Sequence, residues 1–157
     1  MTHPDLREKS GPGRRTFVTI SSGRESRTQT LMSQTILIVD DSKTMREVLK
    51  VYLMGRRYEF LEAEDAERGL RLLRLVPVSL VIVDLKMPKI DGLAFLRHLR
   101  ADGAPGQRVP VIMVTGEKGS LYESLAMRAG ANAFLHKPLD SARAVEAVDR
   151  LLSKSTT

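Results

Sequence analysis

The feature that most constrains this chain is the alternation of two hydrophobic periods between residues 34 and 152. Ile36-Leu37-Ile38-Val39, Leu80-Val81-Ile82-Val83 and the stretch from Val109 to Val114 are short, apolar and rich in β-branched side chains. A strand with one wet face alternates apolar and polar residues, so an unbroken run points to a central parallel strand covered on both sides. Between these runs the period becomes helical. Met45, Val48, Leu49, Tyr52 and Leu53 share one helical face, and Gly55 is placed to stop that helix. Ala66 to Leu75 supplies the next helix. Gly92 to Arg100 repeats the pattern with Leu93, Leu96 and Leu99, before the turn formers Asp102 to Gly106. Tyr58 to Ala63 is more polar and suits an edge strand. Leu121 to Ala129 reads as a helix ended by Gly130, Ala133 to Leu135 as a short fifth strand, and Asp140 as N-cap of a last helix carrying Val145, Val148, Leu151 and Leu152. Five strands and five helices in strict alternation predict an α/β fold, a doubly wound parallel sheet with right-handed crossovers.

Composition bounds the rest. A chain of 157 residues has room for one such core, and no second effector domain of ordinary size is expected. There is no cysteine, which excludes disulfides and thiolate metal sites. No apolar run approaches the roughly 20 residues needed to span a bilayer, and no secretory signal opens the chain, so a soluble cytoplasmic protein without membrane contact is expected. The net charge is +6, and residues 1–31 hold six Lys/Arg against three Asp/Glu. With Gly11-Pro12-Gly13 and Ser21-Ser22-Gly23, residues 1–33 read as a flexible basic extension, broken by one β-prone patch at Phe17-Val18-Thr19-Ile20. Met32 offers an alternative start, and a genuine basic tail and an over-long leader both remain open. The basic charges are scattered and have no zinc-finger, RNP or basic-zipper pattern beside them, so no nucleic acid is expected as partner. The folded domain is placed at residues 34–154.

In a doubly wound sheet the ligand site lies at the carboxyl ends of the strands. Here the apolar runs end in Asp40-Asp41, Asp84, Thr115 and Lys137. If these strands are neighbours, three carboxylates, a hydroxyl and an ammonium share one cleft. Carboxylates held close repel by about 1 kcal/mol per pair in water and several-fold more when partly buried. A hard divalent cation relieves that strain, and Mg²⁺ combines one or two carboxylates with phosphate oxygens and water. A carboxylate beside such an ion can accept a phosphoryl group, and a hydroxyl and an ammonium can bind the oxygens the metal leaves free.

The segments Ile36 to Asp41, Val81-Ile82-Val83-Asp84-Leu85-Lys86-Met87-Pro88-Lys89-Ile90-Asp91-Gly92, Val114-Thr115-Gly116 and His136-Lys137-Pro138 together resemble the response-regulator receiver family, over about residues 34–152. The resemblance implies a flavodoxin-like sheet of order 2-1-3-4-5, the order that the CheY example of this fold also has. It implies that Asp84 is the phosphoacceptor, with Asp41, Asp84 and the backbone carbonyl of Lys86 as direct Mg²⁺ ligands and Asp40 acting through water. Thr115 and Lys137 take the places of the family's switch hydroxyl and site lysine, and Lys137-Pro138 that of its frequently cis peptide. Phe134 stands at the switch aromatic position, where many relatives carry tyrosine. Lys86 and Glu117 match positions that tune phosphoryl lifetime, and their opposite charges are expected to pair across the site mouth and hinder attacking water. The implied partners are a histidine kinase or phosphotransfer protein and a separate output protein, met by a monomer or weak dimer through the face of the fourth helix, fifth strand and fifth helix. The chain would catalyse only its own phosphorylation and dephosphorylation. Asp-Ser-Lys-Thr-Met-Arg at 41–46 favours a chemotaxis-like output, with a phosphorelay shuttle as the alternative.

Each residue also has an ordinary reading. Asp84 could be a strand-end turn residue, and Asp40-Asp41 could cap the first helix. His3, His98 and His136 lack ligand spacing and read as surface or packing residues, while Lys89, Arg97 and Arg100 read as a solvated helix face. Two other functions compete. A haloacid-dehalogenase-like phosphatase would need an acid two residues after Asp84, where Lys86 stands. A flavin phosphate would be repelled by Asp40-Asp41.

Overall fold

In the computed structural model, the residues described are 16–19, 28–31 and 33–154. The chain divides into two compact units, Met1–Ser33 and Gln34–Thr157. In the first unit, β1 (Thr16–Thr19) pairs antiparallel with β2 (Thr28–Leu31), Thr16 lying opposite Leu31. The β-prone patch at Phe17 thus falls in a paired strand. Most of the extension expected over residues 1–33, including Met32, lies outside the described residues.

The second unit alternates β3 (Gln34–Val39), α1 (Lys43–Tyr52), β4 (Tyr58–Ala63), α2 (Ala66–Leu75), β5 (Leu80–Asp84), α3 (Gly92–Arg100), β6 (Val111–Thr115), α4 (Ser120–Arg128), β7 (Ala133–His136) and α5 (Ser141–Lys154). All strand pairs are parallel, in the order β4-β3-β5-β6-β7. Counted from β3, this is the order 2-1-3-4-5. The three apolar runs form the three central strands, and the polar Tyr58 stretch forms an edge.

Both faces of the sheet are buried, as continuous apolar strands require. Leu37, Val39, Val81, Val83, Val111 and Met113 face one layer with Phe95, Leu96 and Leu99 of α3. Ile36, Ile38, Leu80, Ile82, Ile112 and Val114 face the other with Leu49 of α1 and Val148 and Leu152 of α5. The helix starts are built from short polar side chains. Ser42 accepts from the Met45 amide, Asp65 from Arg68, Asp91 from Ala94, and Asp140 from Ala142 and Arg143. The cap of α1 is therefore Ser42 rather than Asp40 or Asp41, which leaves both acids to the strand end.

Arg100 does not lie on a solvated face. Its guanidinium donates to the carbonyls of Gly130, Gln107 and Val109 and to Asn132 Oδ1, at 2.8 to 3.1 Å. The side chain of Asn132 also accepts from the Val111 amide at 2.8 Å. Helix α3 is thereby tied to the segments that lead into β6 and β7, at the amino edge of the sheet. Arg97 is exposed, as expected, and Lys89 lies in the loop before α3 with φ +68°.

Candidate functional site

Parallel strands in register end at the same level, so β3, β5, β6 and β7 deliver their terminal polar residues to one edge. The carboxylates of Asp40, Asp41 and Asp84 each offer an oxygen within 4.8 Å of the others. Asp40 and Asp84 are buried and Asp41 is exposed, which gives the cluster a closed floor and an open side. The Lys137 ammonium lies 3.4 Å from Asp84 Oδ2 and 3.5 Å from Asp40 Oδ2. Thr115 is buried at the end of β6, and its Oγ1 accepts from the Glu117 amide at 3.0 Å. Lys86 Nζ and Glu117 Oε1 meet at 2.7 Å above the loop that follows Asp84. All of these sequence-expected residues come together. Phe134 stands apart from the acids, half-buried on β7, packed against the α3 layer and edge-on to the His136 ring at 5.2 Å. The Lys137-Pro138 peptide is cis.

Three further residues shape the site; Ser42 and Arg46 were not singled out from sequence, whereas Asp91-Gly92 reads there as a turn and helix entry that shapes the loop. The Ser42 amide donates to Asp40 Oδ1 at 2.8 Å, a turn hydrogen bond that aims the carboxylate. Arg46 donates to the Asp40 carbonyl at 2.7 Å and to Glu62 at 3.1 Å, anchoring the end of β3 to α1 and β4. Gly92 packs directly under the loop from Leu85 to Asp91, its amide donating to the Leu85 carbonyl at 2.7 Å. The Asp-x-Ser spacing carried a signal for the first; nothing in sequence alone pairs Arg46 with Glu62.

Burial raises the Asp84 carboxyl above its ordinary value, and the neighbouring Asp40 charge pushes it the same way against the pull of Lys137. Burial likewise raises Asp40, partly offset by the Ser42 amide and Lys137. One lysine does not compensate two buried acids, so the cluster holds excess negative charge. A carboxyl whose folded value exceeds its unfolded value binds its proton more tightly in the folded state. Ionising it costs stability, and that cost fades as pH falls through the raised values toward the ordinary 3.8. Asp84→Asn is accordingly expected to stabilise the cation-free protein near neutral pH by on the order of 1 kcal/mol. Thermal unfolding in chelator across a pH series checks this, and the advantage should shrink with acidification. An advantage that grows on acidification would contradict the charge argument.

The sheet is flavodoxin-like and parallel, and it carries an acidic cluster, a hydroxyl and a lysine at its carboxyl edge. The chain belongs to the response regulator receiver domain family, which matches residues 36–149, and so is a module of two-component signalling. The response regulator GtcR of Aneurinibacillus migulanus is 32% identical over 124 residues, covering 79% of this chain and 50% of that protein. The DNA-binding response regulator MtrA of Mycolicibacterium paratuberculosis is 32% identical over 107 residues, covering 68% and 46%. The chain spans about half the length of these curated relatives. Among solved structures, the chemotaxis protein CheY4 of Vibrio cholerae is similar at a TM-score of 0.70 and 25% identity, over 76% of this chain and 98% of that one. The expectation that nucleic acid plays no part finds no support in this set, since MtrA is a DNA-binding regulator. Among the described residues, no helix is long and apolar enough to cross a membrane.

Proposed function

We propose that residues 34–154 form a Mg²⁺-dependent receiver that accepts a phosphoryl group on Asp84 from a histidine kinase or phosphotransfer protein. The observation that carries this reading is the convergence of three carboxylates within 4.8 Å, with the Lys137 ammonium 3.4 Å from Asp84. The donor set fits the ion: every candidate ligand is an oxygen, one side is open, and the buried acids lack sufficient positive charge. Asp40, Asp41, Asp84 and the backbone carbonyl of Lys86 would hold it. When bound, Mg²⁺ supplies neutralisation of charge on the phosphoryl oxygens.

An Asp84 carboxylate oxygen attacks phosphorus and forms the P–O bond of an aspartyl phosphate. The donor's P–N bond breaks, its electron pair staying on the leaving nitrogen, which takes up a proton. Lys137 and Thr115 then bind the phosphoryl oxygens, Thr115 through a hydroxyl proton that its present hydrogen bond does not use. The added charge of nearly −2 biases the domain toward the conformation in which Thr115 turns inward and Phe134 follows, changing the face of α4, β7 and α5. The protein catalyses only its own phosphorylation and dephosphorylation. Likeness to CheY4 favours a chemotaxis-like output to a separate protein, and a phosphorelay shuttle would use the same chemistry. The DNA-binding relative MtrA supports a second reading, a transcriptional output.

Intact-mass measurement with a small phosphodonor tests the assignment. The wild-type protein should gain one phosphoryl group only when Mg²⁺ is present, and Asp84→Asn should gain none. A gain without metal, or one retained in the variant, would refute it.

The Lys86–Glu117 contact carries a separate expectation. Both side chains are substantially exposed, so solvent screens the pair and it contributes little to stability. Its position at the site mouth instead obstructs water in line with the acyl phosphate. Lys86→Asn should speed loss of the phosphoryl group several-fold without moving the unfolding midpoint. An unchanged decay rate after donor removal would dispose of the obstruction.

A further inference from the structure

Away from the acidic cluster, the C-terminal turns of α2 and α3 and the loop after α3 border an open groove of about 430 Å³. Leu70 and Pro105 give it an apolar lining over the buried Leu99, and Arg74, Arg97 and His98 stand around it, with no acidic residue in its wall. Its size falls in the range of small-molecule pockets, roughly 300–1,000 Å³, which pair an apolar body with a few convergent polar groups.

The cations here are not engaged elsewhere. Among the described residues Arg46, Lys50, Arg56, Lys86 and Lys137 have acidic partners and Arg100 has its carbonyls, whereas Arg74 and Arg97 have no ion pair or side-chain hydrogen bond. Helix C-termini favour basic residues, which accounts for their presence in the last turns. It does not account for the apolar hollow between them. Two helix ends contribute about −0.5 charge each, against two full guanidinium charges, so the mouth keeps a net positive potential of about one charge.

We propose that this groove is a binding site for a small soluble molecule bearing one anionic group on an apolar, preferably aromatic, body. The body lies against Leu70 and Pro105. Arg74 and Arg97 hold the acid group, a carboxylate, sulfonate or phosphate, through the bidentate geometry that guanidinium offers. The site is independent of Asp84 chemistry.

The test uses the full chain and anilinonaphthalene sulfonate, followed by titration calorimetry and amide chemical shifts. Saturable one-to-one binding is expected, with shifts centred on residues 70–74 and 97–105. The double variant Arg74→Ala/Arg97→Ala should weaken it about tenfold. The charge-matched Arg143→Ala/Arg150→Ala on α5 should leave it unchanged. Both pairs are exposed, and unchanged circular dichroism establishes that each variant folds. Equal weakening in the two double variants, shifts centred on the exposed Leu121 and Met127 of α4, or equal affinity for neutral N-phenylnaphthylamine would each overturn the proposal. So would capture at this groove of an acidic aromatic peptide in preference to the sulfonate, since the occupant would then be a protein segment.

Discussion

Replacing Gly92 with alanine is expected to destabilise the domain by about 3 kcal/mol and to slow phosphoryl acceptance by ~10–100-fold. A Cβ at this position would collide with the Asp84 carbonyl oxygen and lie 2.9 Å from both Leu85 Cα and Met113 Sδ. The thioether can swing away, but the two backbone atoms cannot. Either α3 lifts from β5, opening the packing around Phe95 and Leu96, or the backbone of Asp84 and Leu85 shifts and carries the acid out of register with Asp40, Asp41 and Lys137. Both outcomes strike the same short segment, so stability and chemistry should fall together. Gly116→Ala is the matched control. It sits beside the site, but its added methyl would meet only the Lys137 side chain at 4.0 Å. Urea unfolding and the rate of mass gain from a phosphodonor check both variants. Wild-type behaviour of Gly92→Ala would show that the loop is not held from below.

The legible part of this fold is the part that a hydrophobic period can encode. Ala66–Leu75 and Gly92–Arg100 have the bounds expected from their spacing because Asp65 and Asp91 cap them and turn residues follow. β7 extends one residue further than expected, to His136, because backbone pairing with Thr115 continues past the apolar run. The pairing of β1 with β2 was not legible, since Thr16–Thr19 and Thr28–Leu31 are short and lie within a stretch dominated by glycine, serine and arginine.

The site was legible to the extent that strand order was. Asp40, Asp84, Thr115 and Lys137 are far apart in sequence, and only a parallel sheet of the order found here brings their strand ends side by side. Lys86 and Glu117 were pairable because each follows its strand end by two residues. Arg100 shows the opposite limit. Its spacing on α3 matches that of a surface residue, and three of its four partners are backbone carbonyls, at Gln107, Val109 and Gly130, which have no side-chain identity to recognise; the fourth, Asn132 Oδ1, is uncharged. A guanidinium that binds main chain leaves no charge complement in the sequence.

That clamp makes the second large effect, and one that separates stability from chemistry. Arg100→Ala should cost about 3 kcal/mol, because four acceptors lose charge-assisted donors and water can reach only part of the space. Burial already lowers the Arg100 value from its ordinary one, which marks the guanidinium as desolvated. Arg100→Lys should recover only part of the loss, since one ammonium cannot reach the carbonyls on both sides as the planar fork does. Gly130, with φ +104°, leaves room for the Arg100 stem, whose atoms lie 3.0 to 3.3 Å from where a Cβ would stand. The damage falls at the amino edge of β6 and β7, whereas Thr115 and Lys137 lie at the carboxyl edge. Below its lowered unfolding midpoint, Arg100→Ala should therefore accept a phosphoryl group at nearly the wild-type rate, in contrast to Gly92→Ala. Thermal melts and mass gain measured on the same sample decide it: a stable Arg100→Ala, or a folded one that fails to react, would mean that the two edges of the sheet are not independent.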